Sequence, residues 1–359
     1  MTWLAFTDFS RSMFSASGLT EPACLPASDF VTVGSLILEV AVTTPEEDAQ
    51  ILLDCQSHQD WTTRLTIMLN AKGRLTVALR QGDATSLVSV STDLLGKRQN
   101  LRLTYSWDAP KRSGLLSVEN LETGSLRQTE FGDPQALSMH HVERLSRCAK
   151  GRSVSRTADF LAVSCQIEPV GLMPTIAENS PIATPDGPKM IQDLRPGDFI
   201  LTADNGPKAV RWIGFRDVPA IGGYQPLRLR APYFGLNRDI IVAPEQRLLV
   251  SGAQIEYQFG AEEVLVEAQH LLNGVSVLKA NLSAFIRYYH ILLDGHEIIQ
   301  VAGAELESLF IGAIRDNRPV LDTTMLRSMP RQLIPEHREQ ARPILKEFEA
   351  IALQTMMVS

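Results

Sequence analysis

The chain has 359 residues, 44% of them apolar and 21% charged, an ordinary balance for folded globular domains and enough length for two cores. A formal net charge of −7 with lysines and arginines spread along the chain offers no basic field to a phosphate backbone, which argues against nucleic acid as partner. No segment has the uninterrupted apolar length of a membrane-spanning helix. The start places Asp8 inside its only apolar run with no lysine or arginine ahead of it, unlike a secretory leader, so the sequence assigns no compartment and fits either the cytoplasm or leaderless export.

Cys24, Cys55, Cys148 and Cys165 all lie in the first half and lack metal-type spacing. They are expected to be reduced, partly buried thiols, and the second half is left without a thiol nucleophile. No metal or cofactor is expected.

In chain order, residues 35–165 show short runs of period-two alternation bounded by turn residues, the pattern of an antiparallel sandwich. Leu36, Leu38, Val40 and Val42 alternate with a mixed set and predict a half-buried strand. Leu65, Ile67 and Leu69 lead through Asn70-Ala71-Lys72-Gly73 into Leu75, Val77 and Leu79, which predicts a hairpin. Leu101, Leu103, Tyr105 and Trp107, then a turn over 108–114, then 115–118 predict a second. This order resembles the concanavalin-like, laminin-G-like jelly-roll sandwiches. Such modules often bind sugars, so Trp61 and Trp107 are candidates for a stacking platform. Core or rim packing is the commoner fate of a Trp beside a strand, and no calcium-type Asp/Asn cluster accompanies them.

Two prolines and a glycine within 166–174 break helix and ladder and mark a linker. The expected organisation is a sandwich over 1–165, a linker over 166–174, a second β-domain over 175–312, and a C-terminal extension over 313–359. Within the extension, Ile344, Leu345, Phe348 and Ile351 fall at helical spacing over 336–353 and predict a helix docked by that face. The expected fold class is therefore all-β with one short C-terminal helix.

The second domain opens with Ser180-Pro181-Ile182-Ala183-Thr184-Pro185-Asp186-Gly187, followed by Asp193-Leu194-Arg195-Pro196-Gly197-Asp198. Asp204-Asn205-Gly206 and Val210-Arg211-Trp212-Ile213-Gly214 come next. Read locally, these are strands of one tight meander joined by Pro-Asp-Gly and Asn-Gly turns. The blocks closely resemble the bacterial Hint (hedgehog/intein) family, as do 242–249 and the closing segments Tyr289–Glu297 and Glu307–Gly312; together they span about 172–312. The resemblance implies an all-β domain of self-processing ancestry. There a first-position Cys, Ser or Thr attacks the preceding carbonyl while a histidine protonates the departing amide nitrogen.

Set against that pattern, Thr175 stands at the nucleophile position behind Pro174, Asn179-Ser180 replaces a Gly-Thr pair, and Gln246 stands at the histidine position. A hydroxyl is a weaker nucleophile than a thiol, and an amide exchanges no proton near neutrality. The expectation is a domain without cleavage activity, acting in binding or assembly with a protein or glycan partner. One alternative is self-cleavage by Thr175 with His290 or His296 as acid and base; another is glycan recognition by the sandwich. His290, Asp294 and His296 have even spacing and are expected on one face of one strand, as structural histidines in preference to metal ligands. His296-Glu297-Ile298-Ile299-Gln300 lacks the second histidine of a zinc-protease helix. Asp198 is expected to satisfy turn amides, and Arg247 to pair with an acid.

Overall fold

The computed structural model describes residues 3–20, 29–58, 61–94, 98–281 and 283–357, with side chains to residue 353; Cys24 lies outside them. The chain forms two compact units, Met1–Gly171 and Leu172–Ser359.

In the first unit a seven-stranded antiparallel sheet runs in the order Leu126–Gly132, Ser113–Asn120, Gln99–Asp108, Val33–Val42, Ala158–Ser164, Trp3–Thr7, Ser12–Phe14. A four-stranded sheet, Gln50–His58, Thr62–Leu69, Arg74–Gln81 and Ala84–Ser91, shares a core with it. Leu36, Leu38 and Val40 of the larger sheet and Leu65, Ile67, Leu75 and Val77 of the smaller are all buried in that core, giving the layered sandwich that alternation predicts. Both expected hairpins form. In the first, Asn70 Oδ1 accepts the Lys72 and Arg74 amides at 3.0 Å, and Gly73 takes the positive φ of 67° that the turn requires. A short helix, Met139–Ser146, is capped by the Ser138 hydroxyl, which accepts the His141 amide.

The strand Val33–Val42 departs from expectation, being buried on both faces apart from its first residue. It lies in the middle of the sheet, and its polar positions are satisfied from the neighbouring strand Gln99–Asp108. Ser35 and Ser106 share a 2.8 Å hydrogen bond, and Arg102 Nε donates to Glu39 Oε1 at 2.6 Å. Trp107 takes the commoner fate of a Trp beside a strand and packs in the core. Its indole is fully buried, with Nε1 donating to the Val31 carbonyl at 2.8 Å, so it offers no face to a ligand. Trp61 is 44% exposed and stacks on Phe30 with centroids 5.9 Å apart.

The second unit holds two sheets. One runs Trp212–Pro219, Phe285–Leu292, Ile176–Ala177, Ile240–Val242, Leu227–Leu229, Val277–Lys279. The other runs Lys189–Met190, Pro181–Ile182, Ile298–Val301, Ala304–Glu307, Arg247–Ser251, Glu263–Glu267, with the hairpin Phe199–Thr202/Gly206–Ala209 attached to Ile298–Val301. The Asn-Gly hairpin is as expected, but Trp212–Pro219 leaves the meander and pairs along its length with Phe285–Leu292 in the other sheet. Pattern identifies a strand; it does not name the partner.

The C-terminal helix is Glu347–Met357, later and shorter than expected. Its inward residues are Ala350 and Leu353, while Phe348 and Ile351 are exposed at 67% and 51%. Residues 341–346 precede it in non-helical form, because Pro343 disfavours helix at the residue before it. Among the described residues no helix is long and apolar enough to cross a membrane.

Candidate functional site

Thr175 is fixed before its side chain is considered. Its amide donates to the Tyr289 carbonyl at 3.1 Å and its carbonyl accepts the Ala243 amide at 2.7 Å, so the residue is held between neighbouring strands as Ile176–Ala177 begins. The residue is 5% exposed, and its hydroxyl donates to Gln246 Oε1 at 2.5 Å. Gln246 arrives opposite because Ala243-Pro244-Glu245 turns the chain, with the Gln246 amide closing on the Ala243 carbonyl at 3.1 Å. Its carboxamide is orientated from the far end, as Nε2 donates to the carbonyls of Arg247 at 2.9 Å and Glu307 at 3.3 Å. Those bonds commit Oε1 to acceptance. Thr175 and Gln246 therefore do meet, and what receives the hydroxyl proton is an amide oxygen without useful basicity.

His290 lies on Phe285–Leu292 and is buried. Its Nδ1 is 3.0 Å from the Met173 carbonyl. A carbonyl only accepts, so the proton sits on Nδ1 and Nε2 carries the free lone pair; Nε2 has no hydrogen-bond partner. Burial pushes the imidazole down to about 4, against a smaller opposing pull from Glu307. At neutral pH the ring is uncharged, so it can take a proton on Nε2 and can give one to a leaving amine only after taking it.

His296 and Asp294 are not on the strand of His290. That strand ends at Leu292, and the chain bends at Asp294-Gly295 before Ile298–Val301 begins. Even spacing implies one face only while a strand continues, and the Asp-Gly pair is where it stops. Asp294 is turned away into a bidentate pair with Arg211, at 2.6 and 2.7 Å, and is largely exposed. The His296 side chain is wholly buried. Its Nδ1 accepts the Ala341 amide at 2.9 Å, which places the ring proton on Nε2, 3.3 Å from Glu307 Oε2 without the alignment of a hydrogen bond.

Glu307 joins these parts. Arg247 approaches it at 3.3 and 3.4 Å and reaches Glu267 at 3.4 Å; burial opposes the Arg247 charge, while the two carboxylates hold its pKa above the ordinary value. Arg247 thus pairs with two acids, as its type and position suggested. Neither acid was identified from sequence, although Glu307 opens one of the closing blocks. Asp198 behaves as expected, accepting the Arg195 amide at 2.7 Å and the Lys189 ammonium at 2.6 Å. No metal-binding group of three or more His, Cys, Asp or Glu occurs among the described residues.

The Hint domain family matches residues 174–313. This segment is a Hint domain. Solved structures similar to the chain include an intein-like domain from Clostridium thermocellum, at 15% identity over 38% of this chain and 99% of that one, with a TM-score of 0.30. The MchDnaB-1 intein has 15% identity over 38% and 99%, with a TM-score of 0.27. A CBM40 of Ruminococcus gnavus IT-sialidase bound to alpha2,6 sialyllactose has 12% identity over 38% and 79%, with a TM-score of 0.28. No curated protein matches the chain. Within the Hint domain, the nucleophile and histidine positions inferred from sequence, Thr175 and Gln246, are in contact, and His296 stands 3.3 Å from Glu307, which Arg247 also approaches.

Proposed function

We propose that this Hint domain, self-processing by ancestry, no longer cuts its own backbone and serves as a binding or assembly module. The observation that carries the reading is the bond from the Thr175 hydroxyl to the Gln246 amide. An amide can hold the hydroxyl in place but can neither remove its proton nor protonate the nitrogen of a broken peptide bond.

Intact mass after prolonged incubation with hydroxylamine tests this. A full-length mass is expected throughout, and a fragment ending at Pro174 would overturn the reading. The double variant Thr175→Cys/Gln246→His supplies the missing thiol and titratable imidazole at two positions already in contact. It is expected to release that fragment on addition of thiol, while the natural chain does not.

A second reading keeps Thr175 as nucleophile with His290 as its base, favoured by the bare Nε2 of a buried imidazole tethered one residue from the 174–175 bond. Cleavage by the natural chain that disappears in His290→Gln would establish it.

A further inference from the structure

The segment 341–345 lies beyond the family match, which ends at 313, yet it is held to the second unit at every step. The Ala341 amide donates to His296 Nδ1 at 2.9 Å. Arg342 spans two acids from separate elements, with Nε on Glu263 Oε2 at 2.5 Å and Nη2 on Asp204 Oδ1 at 2.6 Å. The backbone then lies along the outer edge of Glu263–Glu267, the last strand of its sheet. The Leu265 amide donates to the Pro343 carbonyl at 2.8 Å and the Leu345 amide to the Leu265 carbonyl at 3.0 Å, a parallel bridge centred on Ile344. Pro343 contributes only its carbonyl, so its missing N–H leaves no gap. The Leu345 side chain enters the core.

We propose that this edge is an autonomous peptide-docking site for an extended Arg-Pro-x-Leu segment, occupied in cis by residues 342–345 and able to take the same segment from a second copy of the chain. The recognition elements have distinct chemistry. The Asp204/Glu263 pair reads a guanidinium, the edge of Leu265 reads backbone as in strand addition, and the apolar core reads the leucine three residues on. A lysine in place of the arginine could not reach both carboxylates through one planar fork. This deepens the binding reading above by naming the partner, and it is tested separately from cleavage, because docking is read by fluorescence anisotropy and cleavage by mass.

The probe is a fluorescein-labelled peptide of residues 336–347, titrated into full-length protein. The natural chain is expected to bind it weakly, because the cis segment competes. Arg342→Ala/Leu345→Ala removes the cis side-chain anchors while leaving the edge intact, and is expected to bind it roughly tenfold more tightly or better. Adding Glu263→Lys to that variant, or using a peptide with the arginine changed to alanine, is expected to abolish the gain. Hydrogen exchange at the Ala341 and Leu345 amides reports release of the cis segment, and the milder Arg342→Ala chain serves if the double variant fails to fold. Released amides without peptide binding would overturn the proposal. So would amides that stay protected in both variants, since Arg342 and Leu345 would then not be the anchors.

Discussion

At the scale of single residues, the Thr175–Gln246 contact joins chemistry to stability. Gln246 is fully buried and satisfies three groups at once, the Thr175 hydroxyl and the carbonyls of Arg247 and Glu307. Gln246→Ala leaves these groups dry and unpaired and opens a hole the size of a carboxamide. A loss of about 1–3 kcal/mol is expected, read as a lower urea midpoint with unchanged m-value. Gln246→Glu is expected to lose comparably, because a carboxylate there cannot donate to either carbonyl and stands near Glu307. A substitution at Asp294, paired with Arg211 at the surface, is expected to change stability by less than about 1 kcal/mol. The contrast separates two residues that sequence had placed in one candidate site.

At the scale of elements, the central strands Val33–Val42 and Gln99–Asp108 show what burial on both faces demands. Glu39 and Arg102 are opposite each other in the register and form a 2.6 Å ion pair, each side chain 4% exposed. Removing one partner strands a buried charge, so Glu39→Ala is expected to cost about 3–5 kcal/mol. Glu39→Leu/Arg102→Met is expected to recover most of it, as thermal unfolding of the three chains would report. Close packing is equally strict at Gly34, where an added Cβ would stand 2.6 Å from the Trp107 ring and 2.7 Å from the Ser164 carbonyl. Much at this scale was legible in the sequence. Turn chemistry fixed the hairpin at Asn70–Gly73, and ordered turn blocks fixed the Hint segment. What period-two alternation does not encode is which strand lies beside which. Trp212–Pro219 was therefore assigned to the wrong sheet, and the strand Val33–Val42 to a solvent face it lacks. Helical spacing at 344–351 was likewise outweighed, since residues up to Leu345 gain more from pairing with Leu265 than from a helix interrupted at Pro343. The Thr175–Gln246 half of the site was readable because family blocks align it. The Glu307 network was not, because no family block pairs Arg247 with Glu307 or Glu267, which lie on separate strands that only the fold brings together.

Across the whole molecule, each unit carries a buried, uncharged histidine. His141 bonds through Nδ1 to the Ser57 hydroxyl at 2.8 Å, and His290 bonds to the Met173 carbonyl. Burial holds both at about 4, below the ordinary 6.5. Between those values the unfolded chain binds protons that the folded chain refuses. The stability linked to these groups is thus complete above pH 6.5 and is lost as the pH falls toward 4. His337, also lowered by burial, acts in the same direction, whereas Asp159, raised by burial, opposes it. Carboxylates held down by partners, such as Asp54 beside Arg64 and Asp198 beside Lys189, lose their contribution only below their ordinary range near 4. In the window from 6.5 to 4 the pH dependence therefore comes from the lowered imidazoles, opposed by Asp159. Each imidazole should contribute a slope approaching 1.4 kcal/mol per pH unit there, about the value of one proton. Urea unfolding of the natural chain at a series of pH values is expected to show stability falling through this window, with His141→Gln and His290→Gln each removing one such slope. Glutamine can keep a hydrogen bond at either position, so a variant as stable as the natural chain at pH 7.5 but more stable at pH 5 is the expected result. Equal loss of stability by a variant at both pH values would show instead that its imidazole titrates alike in the folded and unfolded chains, and would remove the basis for holding it uncharged by burial.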